Sequence, residues 1–167
     1  ILAGGKGTRM HPFSDNYPKP ILPILNQPLL TYQISYMKKM SISEIFIVIG
    51  NLGYEIVQTL GDGEKFGVRL HYVEQQETLG LAHAIGALES YLQTPFLLFL
   101  GDIFFVTVNL QDIVDIFCRE PFHAVLAVKE ENDPELVKRN FAVILNEDGT
   151  VKRVIEKPRS VNSTLKG

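Results

Sequence analysis

Short apolar runs of strand length alternate along this chain with stretches of helical period. The strand-like runs cover residues 45–49, 68–73, 96–100 and 124–128. Strands that alternate with helices typically pair in parallel, because each helix carries the chain back across the sheet. We therefore predict an α/β fold with a Rossmann-like, mostly parallel sheet and helices on both of its faces.

The helices are expected over residues 28–40, 54–60, 80–91 and 110–117. In the first of them, Leu29, Tyr32, Gln33, Tyr36 and Met40 recur at helical spacing, and Pro28 is acceptable at the start of a helix. Near the end of the chain, residues 141–145 and 151–156 flank a turn-forming segment, 146–149. This pattern predicts a hairpin appended to the α/β core.

The length of 167 residues is that of a single domain, so we predict one domain over 1–167. It reads as incomplete at both ends. There is no initiator methionine, Ile1 to Ala3 resemble the second half of a strand, and residues 162–167 close no element. No internal repeat or linker is found.

The composition excludes several classes of partner. A net charge of -3 provides no basic field for nucleic acid, and no apolar run approaches the roughly 20 residues of a membrane helix. Cys118 is the only cysteine, which excludes an internal disulfide and agrees with a cytoplasmic location. We expect Cys118 to be a buried apolar residue of an amphipathic helix.

The first strand end runs directly into a glycine-rich, basic loop, Gly4-Gly-Lys-Gly-Thr-Arg9. Glycines can take backbone angles closed to other residues and let main-chain N–H groups approach an anion, while Lys6 and Arg9 add positive charge. The alternative is a tight turn with no ligand. The pattern favours a polyphosphate ligand.

Two common glycine motifs do not fit this loop. A Walker loop requires Gly-Lys-Ser/Thr at its end, but Lys6 is followed by Gly7. A dinucleotide fingerprint requires a third glycine where Met10 stands. A Rossmann oxidoreductase is therefore disfavoured.

Ligands of open α/β sheets bind beyond the carboxyl ends of the strands, so polar residues at these ends are candidate site residues. Besides the glycine loop, segment 74–80 and the pair Gly101-Asp102 follow strand-like runs. A carboxylate beside a glycine can hold Mg²⁺ against a polyphosphate. Asp102 is accordingly a predicted metal ligand, the alternative being a turn or helix-capping role.

Five motifs occur in the order found in one family. They are Leu2-Ala-Gly-Gly-Lys-Gly-Thr-Arg9, Pro18-Lys-Pro-Ile-Leu-Pro23, Leu79-Gly-Leu-Ala-His-Ala84, Leu100-Gly-Asp102 and Glu156-Lys-Pro158. Together they resemble the sugar-nucleotide pyrophosphorylases, which are nucleotidyltransferases acting on sugar 1-phosphates. The nearest resemblance is to glucose-1-phosphate thymidylyltransferases. The architecture implied is that of glycosyltransferase-A-like nucleotidyltransferases, here truncated.

The resemblance implies a reaction in which a sugar 1-phosphate oxygen attacks the α-phosphorus of a nucleoside triphosphate and pyrophosphate leaves. The nucleophile is already ionised, so positioning and charge stabilisation carry the catalysis. Arg9, Lys19 and Asp102 are the implied catalytic residues, with Asp102 holding Mg²⁺. The implied nucleotide-binding residues are Leu2, Ala3, Gly4, Gly5, Gly7, Thr8, Arg9, Gln75 and Gly80.

The same resemblance assigns the specificity residues. Gln75 would read the base edge, since an amide offers a donor and an acceptor together, as an imide such as thymine or uracil requires. For the sugar 1-phosphate, Lys19 and Lys157 would contact the phosphate and Glu156 would accept hydrogen bonds from sugar hydroxyls. From the residues alone, Glu156 and Lys157 could be a surface ion pair. His11 and His83 are interpreted as structural, because their spacing offers neither a partner.

The pattern departs from the family in two respects. A second metal-binding aspartate would lie beyond Gly167, so we expect these 167 residues alone to be weakly active or inactive. Pro20 stands where many thymidylyl enzymes have Gln, which leaves UTP and GTP open beside dTTP. A non-catalytic, nucleotide-binding regulatory relative is the alternative from another class. The full-length protein is expected to be a homo-oligomer.

Overall fold

The computed structural model describes residues 1–5, 12, 17–77, 79–107, 109–160 and 163–167. The chain divides into two compact units, Ile1–Thr107 and Val108–Gly167. The elements of the first unit are a 3₁₀ turn at Lys19–Ile21, β1 (Pro23–Ile24), β2 (Gln27–Pro28), α1 (Leu29–Lys39), β3 (Glu44–Ile49), α2 (Gly53–Leu60), a 3₁₀ turn at Glu64–Phe66, β4 (Arg69–Glu74) and α3 (Leu81–Gly86).

The main sheet of the first unit is parallel, as predicted, whereas the short strands β1 and β2 form a separate antiparallel pair. Strands β3 and β4 pair in parallel along their whole length. Leu2 forms parallel bridges to Val48 on one side and to Leu100 on the other. The order across the sheet is therefore Leu100, Leu2, β3 and β4, and the strands' carboxyl ends lie at one edge. The α/β class is confirmed.

Two of the predicted strands differ in the structure. Among the described residues, segment 96–100 pairs only at Leu100, through its bridge to Leu2. Segment 124–128 has no ladder among the described residues, and pairing begins after it, at β5. The helix predicted over 80–91 ends at Gly86, since glycine is a weak helix former, and the chain continues in turns.

Helix α1 shows how the sequence builds the core of the first unit. Leu30, Ile34 and Met37 lie one turn apart and are buried, giving the helix one apolar face. The helix ends at a Schellman motif, in which Ser41 has a φ of 61° and the Ile42 N–H donates to Met37 O. The side chains of the first unit that are 0–1% exposed are Leu30, Ile34, Ile47, Val48, Ile56 and Leu60. Each such burial contributes about 1.5–3 kcal/mol.

The second unit contains an antiparallel sheet. Its elements are α4 (Gln111–Arg119), β5 (Lys129–Glu130), α5 (Pro134–Lys138), β6 (Phe141–Leu145), β7 (Val151–Glu156) and β8 (Leu165–Lys166), with strand order β5-β8-β6-β7. The predicted hairpin is confirmed: β6 and β7 pair in antiparallel fashion, and Gly149 in the turn has a φ of 81°.

The environment of Cys118 differs from the prediction. Cys118 lies on α4, and its side chain is exposed, not buried. The helix has apolar residues at helical spacing, but none of its side chains is buried. The helical spacing of apolar residues therefore predicted the position of α4 but not the exposure of its side chains. None of the helices in the described ranges is long and apolar enough to span a bilayer.

Candidate functional site

The carboxyl ends of the parallel strands in the first unit open into one pocket with a volume of about 330 Å³. Segment 1–5, the residue after β4 and the residues after Leu100 all reach it, together with the 3₁₀ turn at Lys19–Ile21 and the start of α3. The predicted site residues that line it are Leu2, Ala3, Gly4, Gly5, Lys19, Gln75, Gly80 and Asp102. Residues from four distant stretches of sequence thus meet at one place.

The remaining predicted residues lie elsewhere. Gly7, Thr8 and Arg9 fall outside the described residues, as do Lys6 and His11. Glu156 and Lys157 belong to the second unit, where they end β7 and begin the following loop.

Gly4 and Gly5 do not have the positive φ angles expected of the glycine loop. Space at Gly4 is limited instead, because a Cβ there would lie 3.1 Å from Gln75 Oε1 and would require the Gln75 side chain to shift by a few tenths of an ångström. The contact with Gly50, directly after β3, is closer still. A Cβ on Gly50 would lie 2.7 Å from the Gly4 carbonyl oxygen, and real Cβ atoms essentially never come this close to another heavy atom. Two strand ends therefore touch backbone to backbone under the pocket.

Gln75 is held at the pocket wall by two contacts. Its backbone N–H donates to Ile49 O at 2.8 Å, which continues the parallel pairing one residue past β4. Its side chain is 8% exposed, and its Nε2 lies 3.1 Å from His83 Nδ1. An amide nitrogen can only donate, so His83 Nδ1 is the acceptor of this hydrogen bond. His83, predicted to lack a partner, thus orients the predicted base-reading glutamine.

Gly80 precedes α3 with φ 103° and ψ -179°. This backbone region is essentially restricted to glycine, so the position requires glycine for its conformation. No heavy atom of the described residues lies within 4 Å of a Cβ built there, so the constraint that these residues impose is conformational and not steric.

Lys19 is presented to the pocket by a rigid turn. The flanking Pro18 and Pro20 are buried, while Lys19 is half-buried, and the Leu22 N–H donates to Lys19 O at 3.0 Å. The structure records no hydrogen bond or ion pair between Lys19 Nζ and another described residue. The ammonium group is therefore available to an anion.

Asp102 is placed by the glycine before it. Gly101 is buried, and its N–H donates to Leu2 O at 2.8 Å. A Cβ on Gly101 would lie 2.9 Å from the same oxygen, so only glycine allows this approach. The side chain of Asp102 is exposed. Within the described ranges, His, Cys, Asp and Glu side chains form no cluster of three that could hold a metal.

Glu156 and Lys157 form an ion pair in the second unit. Lys157 Nζ lies 3.4 Å from Glu156 Oε1, and both side chains are more than half exposed. Lys157 has a φ of 43°, an uncommon conformation for a residue with a Cβ, and its N–H donates to Asn140 O at 2.8 Å. The backbone at this position is therefore fixed although the side chains are exposed.

Sequence reasoning missed two residues that support the pocket, Gly50 and Gln33. Gly50 carried a signal, since it is the first residue after a strand end. Gln33 carried a weaker one, as an amide among the apolar residues of α1. A second, larger cavity of about 510 Å³ lies in the second unit, and none of the predicted site residues lines it.

The sequence profile of the Nucleotidyl transferase family matches residues 1–166. Among curated proteins, a glucose-1-phosphate thymidylyltransferase of Streptomyces antibioticus is 35% identical over 99% of this chain and 46% of its own length. The UTP–glucose-1-phosphate uridylyltransferase AglF of Haloferax volcanii is 33% identical over 99% of this chain and 67% of its own length.

A solved structure gives the same result. The crystal structure of a Bacillus anthracis protein, provisionally assigned as a glucose-1-phosphate thymidylyltransferase and bound to sucrose, superposes with a TM-score of 0.88. It is 28% identical, and the match covers 99% of this chain and 66% of that one. The chain belongs to the nucleotidyl transferase family. It spans about half the length of the first curated relatives that it matches.

Proposed function

We propose that this protein transfers a nucleotidyl group from a nucleoside triphosphate to a hexose 1-phosphate, forming a nucleoside diphosphate sugar and releasing pyrophosphate. One observation carries the proposal. The pocket at the strand ends brings Gly4 and Gly5, Lys19, Gln75 and Asp102 together from distant parts of a chain that belongs to the nucleotidyl transferase family.

The pocket suits a reaction between two polyanions. In the proposed step a sugar phosphate oxygen forms a bond to the α-phosphorus, and the bond from the α-phosphorus to the bridging oxygen breaks as pyrophosphate leaves. Lys19, with no anionic partner among the described residues, would stabilise charge on the phosphates. Arg9 is proposed to stabilise charge on the α-phosphate and on the leaving pyrophosphate. Glycine backbone at Gly4 and Gly5 leaves room for phosphate oxygens to approach main-chain N–H groups.

Asp102 is the proposed ligand of Mg²⁺. Mg²⁺ is usually held by one or two carboxylates together with substrate phosphates, so the exposed carboxylate of Asp102 at the pocket fits this donor set. The bound ion would neutralise charge on the phosphates during transfer. The protein's part is to hold the carboxylate at the strand end, through the close contact of Gly101 with Leu2.

Gln75 is proposed to select the base. Because one N–H of its amide is used by His83, the oxygen and the second N–H remain for a ligand. This pair matches the acceptor and donor of an imide edge such as that of thymine or uracil. We propose dTTP with glucose 1-phosphate first, and UTP second, because both kinds of relative are similar to this chain. Glu156 is proposed to accept hydrogen bonds from sugar hydroxyls, and Lys157 is proposed to contact the phosphate of the sugar 1-phosphate.

The test is a grid of pyrophosphate-release assays on the full-length protein with Mg²⁺. The nucleotides are dTTP, UTP, GTP, CTP and ATP, each with the 1-phosphates of glucose, mannose and N-acetylglucosamine. Turnover with dTTP and glucose 1-phosphate is expected, and Asp102→Asn should lower it by about 100-fold or more, the loss typical of a transition-state stabilising group.

The matched control is Asp112→Asn, which removes an exposed carboxylate on α4 and should leave turnover unchanged. Turnover with another substrate pair would correct the specificity only. Nucleotide binding without any turnover would instead support a regulatory relative and contradict the proposed activity.

A further inference from the structure

Gln33 is a buried amide on the apolar face of α1. Its side chain is 2% exposed. Its Nε2 donates two hydrogen bonds, one to Leu100 O and one to Ile103 O, each at 2.8 Å. These two carbonyls stand immediately before and after the pair Gly101-Asp102. A single amide group therefore holds both sides of the turn that carries the pocket carboxylate.

Two further hydrogen bonds hold the turn, one to the sheet and one within the turn. The Gly101 N–H donates to Leu2 O at 2.8 Å, and the Ile103 N–H closes the turn on Leu100 O at 3.2 Å. The sheet thus fixes the backbone before Asp102. The backbone after Asp102 is fixed to helix α1 through Gln33.

Two aromatic contacts attach the following residues to the same helix. Tyr32 meets Phe104 edge-on with ring centroids 5.3 Å apart, and Tyr36 stacks on Phe105 at 5.2 Å. With Gln33 between them in sequence, α1 contacts three successive residues after Asp102. Helix α1 therefore packs along residues 103–105.

The other half of the Gln33 amide, Oε1, is buried and accepts no hydrogen bond from a described residue. Buried polar atoms without partners are costly and rare, so packing alone would be served better by an apolar residue of the same size. The donor half of the side chain is what this position uses.

We propose that Gln33 is a positioning residue for the transfer reaction, holding the Asp102 carboxylate toward the pocket by clamping the carbonyls of Leu100 and Ile103. This inference rests on the proposed function, since it assigns Asp102 a role on the nucleotide phosphates and their cation. Residues that orient a metal-binding group typically change metal affinity or activity by 10–100-fold when replaced.

The test is Gln33→Met in the full-length protein, which keeps the side-chain volume and removes both donors. The Mg²⁺ concentration for half-maximal turnover should rise by about 10-fold or more. Amide hydrogen exchange of residues 100–105 should become faster, and this readout does not depend on activity.

Ile34→Val is the matched control, because Ile34 is fully buried on the same helix and makes no contact with the turn carbonyls by hydrogen bonding. It should lower the unfolding temperature without changing the Mg²⁺ requirement. If Gln33→Met does not fold, Gln33→Asn keeps the amide but cannot reach both carbonyls, and the same two shifts are expected.

Unchanged Mg²⁺ half-saturation together with unchanged exchange over 100–105 would overturn the inference while leaving the proposed function intact. Absence of turnover in the unmodified protein over the whole substrate grid would overturn both. The two failures are therefore distinguishable.

Discussion

Gly50→Ala is the substitution for which the structure gives the sharpest expectation. The added Cβ would lie 2.7 Å from Gly4 O, 3.1 Å from Gly4 Cα and 3.3 Å from Gly4 C. All three are backbone atoms, so no side-chain rotation relieves the overlap. The carboxyl end of β3 and the first glycines of the chain must separate by several tenths of an ångström.

The expected cost follows from overpacking. Inserting a methyl group into a well-packed region typically costs about 1–3 kcal/mol. For a protein of this size that lowers the unfolding temperature by about 2–12 °C. Because Gly4 and Gly5 line the pocket, the same displacement should weaken nucleotide binding, by about 10-fold for each 1.4 kcal/mol of lost binding energy.

The assay is thermal unfolding combined with calorimetric titration of dTTP, and Gly86→Ala is the matched control. Gly86 ends α3 and has no positive φ, and no heavy atom of the residues that the structure describes lies within 4 Å of its built Cβ. Alanine there should be neutral or stabilise the protein by up to about 1 kcal/mol. Equal unfolding temperatures and equal nucleotide affinities for Gly50→Ala and the unmodified protein would refute the close contact.

Three further predictions concern single residues. Burial and the nearby Asp62 carboxylate raise the pKa of Tyr72 to about 12. The stabilisation that comes from the neutral Tyr72 hydroxyl is therefore complete below pH 10 and is lost as the pH rises from 10 to 12. Tyr72→Phe should flatten this part of the curve of unfolding free energy against pH, and an unaltered curve would contradict the prediction. Gly80→Ala should cost about 1–3 kcal/mol of stability from backbone strain, measured by denaturant unfolding, whereas a neutral effect would argue against the φ of 103°. Arg9→Lys should lower kcat by about 100-fold or more in steady-state assays, because an ammonium group cannot replace a planar fork of donors; near-normal turnover would remove Arg9 from the catalytic group.

The fold was predictable where hydrophobic period and local partners agreed. Helix α1, strands β3 and β4 and the β6–β7 hairpin all follow from their own residues. The pairing of segments 96–100 and 124–128 was not predictable, because a strand forms only against a neighbouring strand and the apolar composition of a segment does not show whether such a strand lies beside it. The exposure of Cys118 was missed for a related reason, since burial depends on what packs against a helix and not on the helix alone.

The candidate site also has residues that could be predicted from the sequence and residues that could not. Residues that follow strand ends, such as Gln75 and Asp102, could be identified because parallel strands bring their carboxyl ends to one edge. The contact between His83 and Gln75 could not, because it depends on the angle at which α3 leaves Gly80. The role of Gln33 could not be predicted either, because its two acceptors are backbone carbonyls about 70 residues away. Every residue has such a carbonyl, so the sequence does not indicate which ones Gln33 contacts.

The most direct test of the central claim is a crystal structure of the full-length protein with Mg²⁺ and a dTTP analogue whose bond between the α- and β-phosphorus atoms resists cleavage. We expect the base against Gln75 and Gly80, and the phosphates between Gly4, Gly5 and Lys19 with the cation on Asp102. A nucleotide bound only in the cavity of the second unit, or phosphates held away from Gly4 and Lys19, would contradict the account.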